Sequence, residues 1–458
     1  MGTTGKTDSG VSPLSLDELR RFVRLCDPQR PLEADDPVYV AFDEGIPTRG
    51  TTHASAIQAL RRFIYLKDES CQLFTGFPGT GKTTELRRLR AQLSAARDLP
   101  THAVYIDFEE YLDRYTPASI TDILRIVAYS LDRAATIAEG KDPNAEPGYV
   151  RRLFDFLVLT DVTLKKLDFH VVGATLMLEL KNNPSFRQQV EETLSGRFQQ
   201  FAAEALHTMT EAVVRLRKAP ESTAERVVVI ADGLEKFSPL REEDRDAMEA
   251  SVESLFVQHA RLLRLPCHVI YTFPIWLRFR VAELGSLYDS QPLVLPMVKI
   301  AERDGRAYEA GIEKLRELVR KRIDEHHVFG SSGGVLTDLV LASGGYPRDL
   351  LRMVREVLVR GESFPVSSLT ANRVIDDLAR EYAVVVRGTH VPMLEQLSVT
   401  HTLPQADSNE VASFGRLLEK WLVLAYRDET EWYDLHPLVR RSPLVATALR
   451  GAGRGAER

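Results

Sequence analysis

Cysteine is scarce in this 458-residue chain, and its placement excludes two kinds of chemistry. Cys26, Cys71 and Cys267 are scattered, with no C-x-x-C pair. Neither a zinc cluster nor a disulfide framework is spelled out, and a reducing cytoplasm is the expected compartment. Long apolar runs are missing too. The most apolar stretches, such as Val171 to Leu178, stop short of a membrane span, and the amino terminus, MGTTGKTDSGVSPLS, has no apolar signal core. No membrane partner is expected. Charge bias is small: a net charge of -6 gives no global attraction to nucleic acid, so any such binding must be regional.

What is present is ordinary for folded proteins, with 44% apolar and 27% charged residues. The length exceeds one compact core, so about two to four domains are expected. Residues 1–35 read as a leader. Its first dozen residues are small and polar, and Ser15 with Glu18 then forms a capping box that opens a short helix. Four short β runs alternate with helical periodicity: Cys71 to Thr75, Ala103 to Phe108, Val227 to Ala231 and His268 to Thr272. That alternation predicts an α/β fold with a parallel, helix-covered sheet over 36–299.

A largely helical insertion occupies 140–222. Its apolar residues from Phe186 to Leu216 advance in steps of three to five, which predicts one helix starting after Pro184 and reaching roughly 50 Å at 1.5 Å per residue. Such a stripe either packs on the sheet domain or serves as an arm for a partner. Residues 300–386 read as a helical lid. Residues 387–446 give helices, then two β runs around Arg427 to Thr430, the parts of a winged helix, and 447–458 read as a tail whose end is expected to fray.

The strongest chemical signal is Gly76-Phe77-Pro78-Gly79-Thr80-Gly81-Lys82-Thr83, a full G-x-x-x-x-G-K-[ST] motif between a strand and a helix, with Thr84 following. Its glycines let successive backbone N–H groups turn toward phosphate oxygens at a helix N-terminus. Lys82 supplies charge to the β- and γ-phosphates, and the Thr83 hydroxyl is an Mg²⁺ ligand. A second ligand is expected at the end of a neighbouring strand, where Asp232 closes an apolar run; Asp107 is the rival. Glu235, three residues on, is placed to orient or activate the attacking water. Thr272 ends another strand with a hydroxyl suited to sensing the γ-phosphate. Arg278 and Arg280 are candidates for a finger acting in trans.

Together these motifs resemble the STAND class of P-loop ATPases, relatives of the AAA+ proteins that include NACHT and NB-ARC domains. The resemblance rests on the P-loop, on Asp232-Gly233-Leu234-Glu235, on Tyr271-Thr272-Phe273-Pro274 with one residue of slack, on Gly345-Tyr346-Pro347 and on Leu435-His436-Pro437-Leu438. It implies that Pro347 packs on adenine and that His436 touches the β-phosphate of ADP. The chain departs from the class at Phe273, Lys236 and Pro437, which replace an arginine and two acids. Arg348 instead resembles the second sensor arginine of AAA+ proteins and of the archaeal origin-recognition ATPases.

The resemblance implies a regulatory ATPase using ATP, ADP and Mg²⁺. Its switch would be conformational or oligomeric, with a homo-oligomer or a separate effector protein as partner and with defence or stress signalling as the setting. The alternative is a DNA-acting ATPase that reads a duplex through the winged helix. Arg440, Arg441, Arg450, Arg454 and Arg458 speak for it, and the acidic wing Asp428-Glu429-Thr430-Glu431 speaks against it.

Overall fold

A computed structural model describes residues 14–43, 48–50, 55–144, 148–158, 174–219, 224–403 and 408–455. The polar first dozen residues, the start of the Val171 to Leu178 stretch and the last three residues lie outside them. Among the described residues no helix is long and apolar enough to cross a membrane. The chain divides into two compact units. One comprises Met1–Ser55, Gly79–Gly81 and Pro296–Arg458, the other Ala56–Pro78 and Lys82–Leu295.

The second of these units is built on five parallel strands: β1 (Cys71–Gly76), β2 (Thr101–Asp107), β3 (Arg226–Asp232), β4 (His268–Thr272) and β5 (Leu293–Leu295). Their order is β2-β3-β4-β1-β5. Continuous apolar runs dictate this arrangement, because a strand covered on both faces has no polar side. Val227, Val228, Val229, Ile230 and Ala231 of β3 are all buried. On one face Phe74, Val228, Ile230 and Ile270 pack under Leu60, Ile64, Leu86, Leu89 and Leu93. On the other, Leu73, Val227, Val229 and Val269 share a core with Ile123, Val127, Met209 and Val213. The result is a three-layer sandwich. The helix Ile120–Ala138 is fixed at its start by a capping box of Ser119 and Asp122. The fifth strand is only three residues long and sits between Pro292 and Pro296, too short for a periodic signal.

The insertion departs from the single long helix expected. Its helix starts at Pro184, with Asn183 capping the Phe186 N–H at 3.1 Å. It ends at Gly196, and a new helix runs over Phe198–Lys218. Arg197 (φ -131°, ψ 35°) joins the two. Glycine is a poor helix former and gives the chain a place to break, so the apolar stripe is carried by two helices rather than one. Phe186, Val190, Leu194, Phe201, Met209 and Leu216 are all buried in the core shared with the sheet. Arg187 bonds Asp122 at 2.6 Å, which binds the insertion to the helix Ile120–Ala138. The stripe is spent inside the unit.

The other unit holds the helical lid: Glu309–Arg320, Glu325–Phe329, Gly334–Ala342, Pro347–Arg360 and Ser368–Val385. A winged helix follows, with helices Val391–Thr400 and Ser408–Glu419 and the antiparallel hairpin β6 (Val423–Arg427) and β7 (Glu431–Leu435). The leader helix Leu16–Leu25, opened by the Ser15–Glu18 capping box, packs on Pro347–Arg360. The last helix, Pro443–Gly455, runs into the segment expected to fray.

Candidate nucleotide site

Strand β1 delivers the P-loop and the helix Lys82–Ala95 receives it, so the loop sits at a helix N-terminus. Gly79 (φ +89°) and Gly81 (φ +98°) hold backbone conformations that a side chain rarely tolerates, which is why glycine stands at both. The Lys82 side chain is 3% exposed, and its Nζ donates to the carbonyls of Gly76 and Phe77, each at 3.0 Å. It also stands 3.3 Å from Glu235 Oε1. Burial holds the Lys82 ammonium below its usual range, against the pull of Glu235 and Asp232.

The ends of β3 and β4 bring the acids and the hydroxyl to this place. Asp232 Oδ1 accepts the Gly233 N–H at 2.9 Å, and its Oδ2 accepts the Tyr105 hydroxyl at 2.6 Å. The Thr83 hydroxyl acts on the same carboxyl. Burial, then the charge of Glu235, pushes Asp232 up to about 6. Burial is the largest single influence on Glu235 and pushes it up, but the Lys82 charge, the Thr272 hydroxyl and the Lys236 charge together outweigh it, and the carboxyl lies below the usual range. Oε2 of Glu235 is buried and has no hydrogen-bond partner among the described residues. Thr272 is fully buried. Its hydroxyl accepts the Leu234 N–H at 3.2 Å, tying the end of β4 to the turn that carries Glu235.

Asp107 lies opposite Asp232 in the β2–β3 register, but its Oδ1 caps the next turn through the Glu109 N–H at 3.0 Å. Lys236 pairs with Glu109. Arg280 is engaged within the chain by Glu249 and by Glu253 at 2.8 Å, so it is not a free finger. Arg278 lies over the Phe279 ring at 5.4 Å.

In the unit that groups the loop tip Gly79–Gly81 with the lid, Arg348 packs on Gly79. A Cβ there would meet the Arg348 Nε at 2.4 Å. Arg348 follows Pro347, the first residue of the helix Pro347–Arg360, where its missing N–H costs nothing. Gly345 takes φ +80°, and a Cβ on it would collide with the Val298 carbonyl. A Cβ on Gly344 would strike Pro437 Cδ at 2.7 Å, so the Gly-Tyr-Pro turn lies against the Leu-His-Pro-Leu segment. His436 is fully buried there, stacked on Tyr382 with ring centroids 4.5 Å apart.

Sequence reasoning passed over three residues. Arg49 donates to the Thr80 carbonyl at 2.7 Å, Asp349 faces His436, and Tyr105 holds Asp232. Only Tyr105 left a trace: it precedes Asp107 by two on one strand and so shares its face.

The strand order and the P-loop define a P-loop NTPase fold, which a helical lid and a winged helix accompany in the chain. No protein-family model matches the chain, and no curated protein does. Among solved structures, Cdc6p from Pyrobaculum aerophilum is 13% identical, with 94% of this chain and 98% of that one covered at a TM-score of 0.35. The fold rests on the strand order and the loop, not on that likeness.

Proposed function

We propose that this chain binds ATP with Mg²⁺, hydrolyses it, and uses the nucleotide as a conformational or oligomeric switch acting with copies of itself or with a separate effector protein. One observation carries the reading. Lys82, Thr83, Asp232, Glu235 and Thr272 come from two strand ends, the turn after one of them and a helix start, and they meet in one largely buried cluster. Such clustering of charged groups at strand C-terminal ends is costly unless a ligand uses it.

The donors fit the ligand. The Thr83 hydroxyl and the Asp232 carboxylate are hard oxygens of the kind Mg²⁺ takes, and they would hold it. Bound there, Mg²⁺ would neutralise phosphate charge. Lys82 would exchange its Gly76 and Phe77 carbonyl partners for phosphate oxygens. Glu235, held ionised by Lys82, would orient a water and take its proton. Binding of a radiolabelled or fluorescent ATP should vanish in Lys82→Ala, whereas Glu235→Gln should bind and fail to hydrolyse. Undiminished hydrolysis by Glu235→Gln would remove that residue from the chemistry.

The switch is supported by a chain of contacts. Gly79 touches Arg348, and the next residue, Asp349, faces His436 and Tyr382. Whatever the loop tip holds bears on this helix start, so Arg348 would read the γ-phosphate. Pro347 at the adenine and His436 at an ADP phosphate are the roles we carry over from the STAND resemblance. Defence or stress signalling is the setting it suggests. Light scattering in ADP, ATP and a slowly hydrolysed analogue tests this, and one mass and shape in all three would count against a switch. DNA binding is the weaker reading: two of the arginines that would favour it are engaged within the chain, Arg441 by Asp376 at 2.6 Å and Arg440 by Asp434. A labelled duplex that fails to shift at low salt would end that reading.

A further inference from the structure

We infer that Tyr105 is a positioning residue for the Mg²⁺ ligand Asp232, with Arg87 behind it, an assignment that rests on the reading of Asp232 given above. Along β2, Ala103 and Tyr105 face the layer formed by Leu86, Leu89 and Leu93 of the helix Lys82–Ala95. Along β3, Val228 and Ile230 face the same layer, and Asp232 shares their parity. The phenol therefore stands beside the carboxylate, and its hydroxyl donates to Oδ2 at 2.6 Å.

Arg87 completes the arrangement. Its guanidinium lies 5.8 Å from the Tyr105 ring centroid and reaches the phenol oxygen. Thr83 and Arg87 are four residues apart on one helix and so share a face, one turn from each other. The first acts on Asp232 directly, the second through Tyr105. The carboxylate is thus held from its own turn by the Gly233 N–H, from the neighbouring strand by Tyr105 and from the P-loop helix by Thr83. A ligand carboxylate fixed in this way leaves its remaining lone pairs pointing in one direction. Loss of such an outer partner typically costs metal affinity tenfold or more.

The phenol hydroxyl is what matters here, because the ring also fills space against the apolar cluster on that face of the sheet. Tyr105→Phe keeps the ring and removes only the hydroxyl. Binding of a fluorescent ATP analogue is measured against Mg²⁺ concentration and again in EDTA, with a thermal melt on each protein. The Mg²⁺ concentration for half-maximal tightening should rise roughly tenfold in Tyr105→Phe, with affinity in EDTA unchanged. Arg87→Met should move it in the same direction by less. An unchanged Mg²⁺ midpoint overturns the assignment. An equal loss in EDTA does so as well, since it would mark Tyr105 as merely structural. If the wild-type chain itself binds ATP without regard to Mg²⁺, the reading of Asp232 falls and this one with it. That failure is visible in the wild type alone.

Discussion

His436 Nε2 stands 3.2 Å from Asp349 Oδ2 in the interior of the lid and wing, where neither side chain meets water. Nδ1 of the same ring accepts the Leu438 N–H at 3.1 Å, so Nε2 is the nitrogen that carries hydrogen toward the carboxylate. That nitrogen makes no hydrogen bond within the described residues, and its contact with the carboxylate is electrostatic. What anchors Asp349 is the Tyr382 hydroxyl at 2.7 Å, and the Tyr382 ring stacks on the imidazole. The three groups form one packed unit immediately after Arg348.

Removing the carboxylate should therefore strand the other two. Asp349→Ala leaves the Tyr382 hydroxyl buried without an acceptor and should lower stability by about 2–3 kcal/mol. Tyr382→Phe should cost about 1 kcal/mol. Because both remove the same bond, the double variant should fall short of the sum by at least about 0.5 kcal/mol in thermal or urea unfolding. Strict additivity would show that the three side chains act separately.

The Lys82–Glu235 pair allows a prediction independent of nucleotide. Both side chains are 3% exposed, so deleting one leaves a buried charge without its partner. Lys82→Ala in the absence of nucleotide should cost about 3 kcal/mol or more. Glu235→Gln should cost less, because Lys82 keeps the Gly76 and Phe77 carbonyls. Equal melting temperatures for the two variants would contradict this ordering.

How much of this was legible beforehand depended on whether the information was local. The P-loop, Asp232 and the Pro347 helix start are each written in a few consecutive residues, with a strand or helix boundary beside them. The four longer strands were readable because each is a continuous apolar run. Strand β5 was not: three residues between prolines carry no period, and only pairing with Phe74, Thr75 and Gly76 makes Leu293–Leu295 a strand. The break at Gly196 was hidden because the apolar spacing continues through it. Tyr105, Arg49 and Asp349 are partners across 127, 31 and 87 positions of sequence, and a single sequence does not mark such pairs.

Arg348 and Gly79 supply a third prediction. An alanine at 79 must adopt φ near +89° and also meet Arg348, whose Nε and Cβ would lie 2.4 Å and 2.8 Å from the new methyl. Gly79→Ala should cost about 1–2 kcal/mol from the backbone alone, with the collision added. Adding Arg348→Ala removes the guanidinium but not the Cβ, so it should restore part of the loss. Full restoration would mean that the backbone tolerates the substitution, and no restoration that Arg348 does not press on the loop tip.

Acid sensitivity offers the last test, away from the nucleotide site. His268 opens β4 at 1% exposure, with Nδ1 on the Ser70 hydroxyl at 2.9 Å and Nε2 without a partner among the described residues. Burial, reinforced by Arg226 and Arg217 and opposed by Asp68 and Asp289, pushes its pKa down to about 4. The unfolded chain takes up a proton near pH 6.5 that the folded chain refuses until about pH 4. The unfolded state binds more protons throughout that window, so stability is intact above it and is lost as pH falls through it. The loss from this residue amounts to at most about 3 kcal/mol, and it levels off below the lower value. Carboxylates also titrate near pH 4, so the useful comparison is the wild type against His268→Gln between pH 5 and 7. The variant should start less stable and show a shallower decline across that range in urea unfolding; parallel curves would exclude His268 as the acid-sensitive group.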